Sequence, residues 1–293
     1  MAAADQERRR SIMIVVIGAT GTVGREAVAQ LHESGAKVTA VTRDAAAQLP
    51  PGITVVQGDP SVPAIPREAW SGVEAVLLSS RAALATAPEI LSTAAEFGAR
   101  RVVVVSAATV EYPAGEPRFI AGFRALEAAA ETSGLAWTSL RCADFDANTR
   151  AWIPQLRGGD VVRGAYGKAA TSPIHERDIA AVAVRALTSG DHAGRHYVLT
   201  GPESLTQYDK VRLLGDAIGR DLSFLELTPE QVRAAMSAQG LPEEIAARLL
   251  GSLADYARVP GPTTGTVEEL LGRPALGFST WAADHAAAFS QAK

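Results

Sequence analysis

The chain is poor in the residues that react, bind metal or cross a membrane. One cysteine in 293 residues, Cys142, cannot form an internal disulfide, and that count leans toward a reducing, cytoplasmic setting. Five histidines, His32, His175, His192, His196 and His285, are scattered, and none forms a ligand spacing with Cys142, so no metal is expected. Positive charge is not in surplus: the formal net charge is −4, which leaves no summed field to attract phosphate backbones and argues against nucleic acid as a partner. No stretch approaches the ~20 apolar residues of a membrane span. Arg8, Arg9 and Arg10 followed by the apolar run 12–17 imitate a signal peptide, but the run is short and ends in a glycine turn, so it reads as a strand. Residues 1–10 are expected to be a loose tail. Nothing in the composition fixes an oligomeric state; the expected partner is a small molecule.

What is present is alternation. Short β-branched runs at 12–17, 37–42, 53–56, 75–79, 101–106 and 136–141 are apolar through their middles, as strands covered on both faces must be. Between them lie longer, alanine-rich helical stretches near 24–33, 88–97 and 119–133, the first and last ending at Ser34-Gly35 and Ser133-Gly134. This is the pattern of βαβ units, and it predicts an α/β fold with a doubly wound parallel sheet. After about residue 150 the alternation loosens, and Gly158-Gly159, Gly164 and Gly167 read as turns. Two later segments return to the sheet: a helix through Leu187 with Asp178 as its cap, and a strand at 195–200. Thr228 with Gln231, and Pro229 at the first helical position, form a capping-box start, and Leu241-Pro242-Glu243 opens a second helix, so two amphipathic helices can cover a cleft. The division expected is a dinucleotide-binding domain over 11–150, with returns near 172–200, and a smaller interleaved substrate region over 151–293.

The most informative motif is Gly18-Ala19-Thr20-Gly21-Thr22-Val23-Gly24, which follows the first strand and opens the first helix. Gly18 permits the tight turn, Gly21 lets backbone approach a pyrophosphate, and Gly24 lets the helix pack on the strand. The second strand ends at Thr42-Arg43-Asp44, where the adenosine ribose should lie. A guanidinium there pairs with a 2′-phosphate, so Arg43 points to NADPH, while Asp44 leaves NADH open. Asp59, after the third strand, is either a partner of the adenine amino group or an ordinary turn aspartate.

The glycine turn, Gly58-Asp59, Ser133-Gly134-Leu135-Ala136-Trp137-Thr138 with Leu140-Arg141, Arg177-Asp178-Ile179-Ala180, Leu199-Thr200-Gly201-Pro202 and Gly272-Arg273-Pro274 stand in an order that resembles the NmrA-like branch of the atypical short-chain dehydrogenases/reductases. The resemblance covers nearly the whole chain and implies a Rossmann fold and an NAD(P)H-dependent oxidoreductase. Two departures matter. Where the family continues Arg-Pro, this chain has Arg141-Cys142. Short-chain dehydrogenases typically carry Tyr-x-x-x-Lys on the helix after the fifth strand, and counting back from Glu127 puts Phe119 and Phe123 at those positions. The usual acid and its activating lysine are both absent.

Two functions stay open on this reading. One is a reductase that passes hydride to a ketone or quinone of an aromatic small molecule, polyketide-like in character, with the substrate's own neighbouring hydroxyl assisting. The other is a non-catalytic NADP(H) sensor that regulates a protein partner. Ligands in such sheets bind beyond the carboxyl ends of the strands. Cofactor candidates are therefore Gly18, Thr20, Gly21, Thr22, Val23, Gly24, Arg43, Asp59, Ser79, Ser80, Arg81 and Ser106. Ser106 and Tyr112 are the catalytic candidates, and Phe119, Phe123, Asp144, Phe145, Asn148, Trp152 and Tyr166 are expected to border the substrate. His175 and Cys142 read as a loop residue and a buried thiol.

Overall fold

The computed structural model describes residues 12–62 and 64–290; the expected tail at 1–10 lies outside the described residues. A seven-stranded sheet runs in the order β3-β2-β1-β4-β5-β6-β8. Its strands are β1 (Met13–Ile17), β2 (Lys37–Thr42), β3 (Thr54–Gln57), β4 (Ala75–Ser79), β5 (Arg101–Ala107), β6 (Ala136–Cys142) and β8 (Arg195–Leu199). The pairings of β1 through β6 are all parallel. The strand order reverses between β1 and β4, the doubly wound arrangement that opens a crevice at the carboxyl ends of those two strands.

Contacts divide the chain into two compact units. One takes the chain up to Val110 with Ala121–Cys142 and Glu176–Val198; the other takes Glu111–Ile120, Ala143–His175 and the chain from Leu199 onward. The sequence boundary drawn at 150 thus differs from these units, because the chain leaves the sheet at the end of β6 and visits the second unit once earlier, at 111–120.

In the first unit α1 (Thr22–Glu33) packs against α4 (Glu176–Thr188) on one side of the sheet, and α4 touches β4, β5 and β6. On the other side, α2 (Ala87–Glu96) and α3 (Pro117–Thr132) contribute Ile90, Leu91, Ala94, Leu126 and Ala130 to a core with Val15, Ile17, Val76, Leu78, Val102, Val104 and Trp70. Every second strand residue faces this layer, which is why the central strands read as unbroken apolar runs. The second unit has its own core, in which α5 (Gln207–Ile218) brings Val211 and Leu214 against Leu156, Val162, Phe278 and Trp281.

Two expectations are corrected and a third holds. The stretch read as turns after 150 holds β7 (Val161–Gly164), which pairs in parallel with β9 (Ser223–Glu226) as a two-stranded ribbon. Asp178 does not cap its helix, which starts two residues earlier at Glu176 and buries Asp178 completely. The helical hairpin of the second unit is α6 (Pro229–Ala238) and α7 (Glu243–Arg258), and the Thr228/Gln231 capping box forms as expected.

Candidate active site

The first unit builds a cradle at the end of β1. Gly18 turns the chain at φ +84°, a region that favours glycine, and the Gly21 amide donates to the Gly18 carbonyl at 3.0 Å. A Cβ on Gly18 would meet Ser79 Cβ at 3.1 Å, so the end of β4 sits directly against the turn. Helix α1 follows with Gly21 as N-cap, no capping side chain and no acidic residue in its first turn. Its free amides and positive end are therefore left for an anion. Gly24 closes the packing: a Cβ there would lie 2.1 Å from the Gly18 carbonyl oxygen. Thr20 and Thr42 share a hydroxyl hydrogen bond of 3.1 Å, and Arg25 Nε donates to the Thr20 carbonyl at 3.0 Å. Thr22 and Val23 belong to the first turn of α1, with Val23 buried. These residues fit a dinucleotide pyrophosphate: the glycines leave room and the first-turn amides of α1 have no side-chain cap.

Beyond β2, Arg43 is exposed, whereas Asp44 is occupied in its own turn, its Oδ1 accepting from the Ala46 amide at 2.9 Å. Asp59 is likewise engaged, with Oδ1 accepting from the Ser61 amide at 2.9 Å and hydroxyl at 2.7 Å. Those bonds lower its pKa, and the Arg43 charge adds to the effect. Ser79 ends β4, while Ser80 and Arg81 belong to the helical turn Ser80–Ala83.

Ser106 is 3 % exposed, and its hydroxyl is buried without a hydrogen-bond partner. Glu127, on α3, is the hub of a polar cluster that the sequence reading missed. Arg141 Nε donates to Oε1 at 3.0 Å and Nη2 to Oε2 at 2.7 Å, and the Ser139 hydroxyl donates at 2.8 Å. Burial pushes the Glu127 pKa up, but the hydrogen bonds from Arg141 and Ser139 and the guanidinium charge outweigh it, and the net shift is downward. His196 lies 3.5 Å from Glu127 and 3.3 Å from Glu131. These three residues gather ligand atoms within 4.8 Å of one another, but the Arg141 guanidinium already neutralises Glu127, which disfavours a cation there. Phe123 is half-buried one helical turn from Phe119 on α3, and both face the same way along that helix.

The second unit gathers a different set. After β6 the Ile174 amide donates to the Asp144 carbonyl at 2.8 Å and the Asp146 amide to the Ile174 carbonyl at 3.1 Å, which fixes the loop bearing Phe145. Asp144 Oδ1 accepts from Asn148 at 2.6 Å, and Oδ2 accepts from Lys210 Nζ at 3.0 Å and from the Thr171 hydroxyl at 3.3 Å. Lys210 is 3 % exposed and also donates to Thr171 Oγ1 at 2.8 Å. A lysine on the buried face of α5 beside Val211 and Leu214 is an anomaly visible in sequence, and it was overlooked. The Tyr256 phenol, on α7, is pushed up to about 12 by burial first and by the Asp144 and Asp255 charges after it.

Phe119 carries two guanidiniums, Arg118 Cζ at 5.1 Å and Arg248 Cζ at 5.4 Å from its ring centroid. Tyr112 is 43 % exposed in the segment before α3. Trp152 is half-buried and packs against the core of the second unit. Tyr166 is the one non-glycine residue of the described chain at positive φ, +56°, a conformation costing of order 1 kcal/mol. Its turn is pinned by the Ala169 amide donating to the Tyr166 carbonyl at 2.8 Å and by the Gly167 amide donating to Glu226 at 3.2 Å. His175 is fully buried with Nε2 3.4 Å from Asp284, and burial pushes the Cys142 thiol far up, so it holds no thiolate.

Comparison with known proteins gives a consistent set of likenesses. The profile of a family described as NAD(P)H-binding matches residues 18–190. A (4-alkanoyl-5-oxo-2,5-dihydrofuran-3-yl)methyl phosphate reductase of Streptomyces griseus is 37% identical over 280 residues, 95% of this chain and 99% of the relative. An NAD(P)H azoreductase of Xenophilus azovorans is 32% identical over 96% of this chain and 100% of its own. An NADPH-dependent quinone oxidoreductase of Escherichia coli, crystallised with NADPH, shares the fold at a TM-score of 0.78 and 23% identity, covering 93% of this chain and 99% of that one. Among the described residues no helix is long and apolar enough to cross a membrane.

Proposed function

The chain belongs to the NAD(P)H-binding, NmrA-like atypical short-chain dehydrogenases/reductases and is an NAD(P)H-dependent oxidoreductase; on that premise we propose that it uses NADPH to reduce a ring-conjugated carbonyl compound, a quinone, aryl ketone or acyl-furanone. The observation that supports this reading is a pair of phenylalanines, Phe119 and Phe123, one turn apart on α3, which on our reading take the positions of the usual tyrosine and lysine. A simple ketone needs an acid at its oxygen as hydride arrives. A conjugated ring does not need it to the same degree, because the negative charge spreads over the ring or onto an internally hydrogen-bonded oxygen, and water supplies the proton later. Phenylalanine faces suit flat rings and exclude water from the reacting carbon.

When bound, the cofactor supplies the hydride. The glycine turn and the uncapped start of α1 would hold its pyrophosphate, and Arg43 would receive its 2′-phosphate. Asp144, fixed by Lys210, Thr171 and Asn148, holds the loop that carries Phe145. Reductase relatives with quinone, azo and furanone substrates support turnover over the sensor reading. The acyl-furanone phosphate of the Streptomyces griseus relative is the first substrate to try.

The test is NADPH oxidation across a quinone, an acyl-furanone, an aryl ketone with a neighbouring hydroxyl, and an unconjugated aliphatic ketone. The conjugated compounds should be reduced and the aliphatic ketone should not. Ser106→Ala, Tyr112→Phe and Tyr166→Phe should each cost less than the ~100-fold expected on losing a general acid, and methylating the substrate's hydroxyl should cost more than any of them. The reading fails if no carbonyl compound oxidises NADPH, or if one of those substitutions abolishes turnover while cofactor affinity is kept.

A further inference from the structure

The loop that carries Arg43 is pinned to the glycine turn at both of its ends, and both pins run through Thr20. At the near end the Thr20 and Thr42 hydroxyls share a hydrogen bond of 3.1 Å, and Thr42 Oγ1 also accepts from the Asp44 amide at 3.2 Å. At the far end the Arg25 guanidinium bridges two backbone carbonyls, Nε donating to Thr20 at 3.0 Å and Nη1 to Gln48 at 3.4 Å. Between the pins the chain bonds to itself. The Asp44 side chain accepts from the Ala46 amide at 2.9 Å, the Asp44 carbonyl from the Ala47 amide at 3.2 Å and the Ala46 carbonyl from the Gln48 side chain at 3.4 Å. Gln57, which ends β3, donates to the Arg43 carbonyl at 3.2 Å. The Arg43 backbone is thereby held while its guanidinium stays exposed. Arg25 stands in the first turn of α1, where the backbone dipoles disfavour a cation, and it turns two donors onto carbonyls of two separate segments. A planar guanidinium fork can do this with one rigid group. All of these residues belong to the first unit.

We propose that Arg25 is a positioning residue for the choice of cofactor: it joins the loop after β2 to the glycine turn and so holds Arg43 where its guanidinium meets the 2′-phosphate of NADPH. The assignment rests on the reading of Arg43 given above and adds the residue that keeps that contact preformed. A loop ordered in advance loses little freedom when the ligand arrives, so more of the Arg43–phosphate interaction appears as affinity. Without the Arg25 bridge the loop must be ordered on binding, at the expense of NADPH. NADH has no 2′-phosphate and draws little on that contact, so Arg25 acts on the ratio of the two affinities.

The test is calorimetric titration of NADPH and NADH into the full-length native protein, Arg25→Ala, Arg43→Ala and the double variant, together with amide hydrogen exchange of the cofactor-free proteins. Arg25→Ala should weaken NADPH about five- to tenfold, as expected on losing two hydrogen bonds, and NADH much less. Exchange at the Ala46 and Ala47 amides should speed up in that variant before any cofactor is added. In the Arg43→Ala background the same substitution should change the NADPH-to-NADH ratio little, because Arg25 acts through Arg43. Equal weakening of both cofactors by Arg25→Ala overturns the proposal, since that is a structural effect on the turn. Unchanged exchange at Ala46 and Ala47 overturns it too, as does a ratio that falls equally with and without Arg43, which would make Arg25 a phosphate ligand in its own right. The reading of Arg43 fails separately, if Arg43→Ala alone leaves the ratio where it was.

Discussion

Gly21 and Gly24 are three residues apart in one turn, yet they do different work. At Gly24 an added Cβ would lie 2.1 Å from a backbone oxygen that cannot move without unmaking the turn. At Gly21 the nearest atom would be the same oxygen at 3.2 Å, and φ is an ordinary −74°. Gly24→Ala is therefore expected to lower the melting temperature, whereas Gly21→Ala should leave it nearly unchanged and weaken NADPH binding by crowding the pyrophosphate. Thermal unfolding of both variants with and without cofactor checks this; an unaltered melting curve for Gly24→Ala would contradict the close packing of α1 on its turn.

At the scale of elements, α3 joins the sheet through Glu127, which ties the helix to Ser139 and Arg141 of β6 and approaches His196 of β8. Removing one partner of a buried ion pair strands the other, at about 3 kcal/mol, so Glu127→Gln should destabilise the fold clearly at neutral pH. The folded carboxyl titrates below its ordinary value of 4.5. Its contribution is thus fully present above about pH 4.5 and is lost as pH falls through the folded pKa. Denaturant titrations of native and Glu127→Gln protein should show a gap that is constant from neutral pH down to about 5 and narrows below it; a gap independent of pH down to the acid limit would refute the assignment. The same helix shows what an element can conceal. Phe119 and Phe123 are legible in sequence as an apolar pair one turn apart, but that Arg248 reaches Phe119 from a helix more than a hundred residues later is not.

For the whole molecule, cofactor binding is the term that couples site to stability. A ligand held only by the folded chain stabilises it by about 2.7 kcal/mol at a hundredfold excess over Kd. NADPH should therefore raise the melting temperature more than NADH at equal concentration. On the proposal that the exposed Arg43 guanidinium receives the 2′-phosphate, it would account for the difference, since hydrogen bonds to charged groups contribute roughly 1.5–3 kcal/mol. Arg43→Ala should bring the two shifts together by lowering the NADPH effect alone. Equal shifts in the native protein would remove Arg43 from the site.

The β-branched runs, the glycine turn and the capping box at Thr228 are local signals, and each fixes its element wherever the rest of the chain goes. Strand positions, the cradle at Gly18 to Gly24 and the dinucleotide function were determined at that level, because period, turn chemistry and helix capping act over a few residues. The ribbon of β7 and β9 was not, since a four-residue strand broken by glycines pairs only when a distant partner arrives. Lys210 on Asp144 and Arg248 on Phe119 were decided by tertiary structure alone: a contact between residues far apart in sequence leaves no periodic trace, and only the packed chain brings the groups within reach of one another.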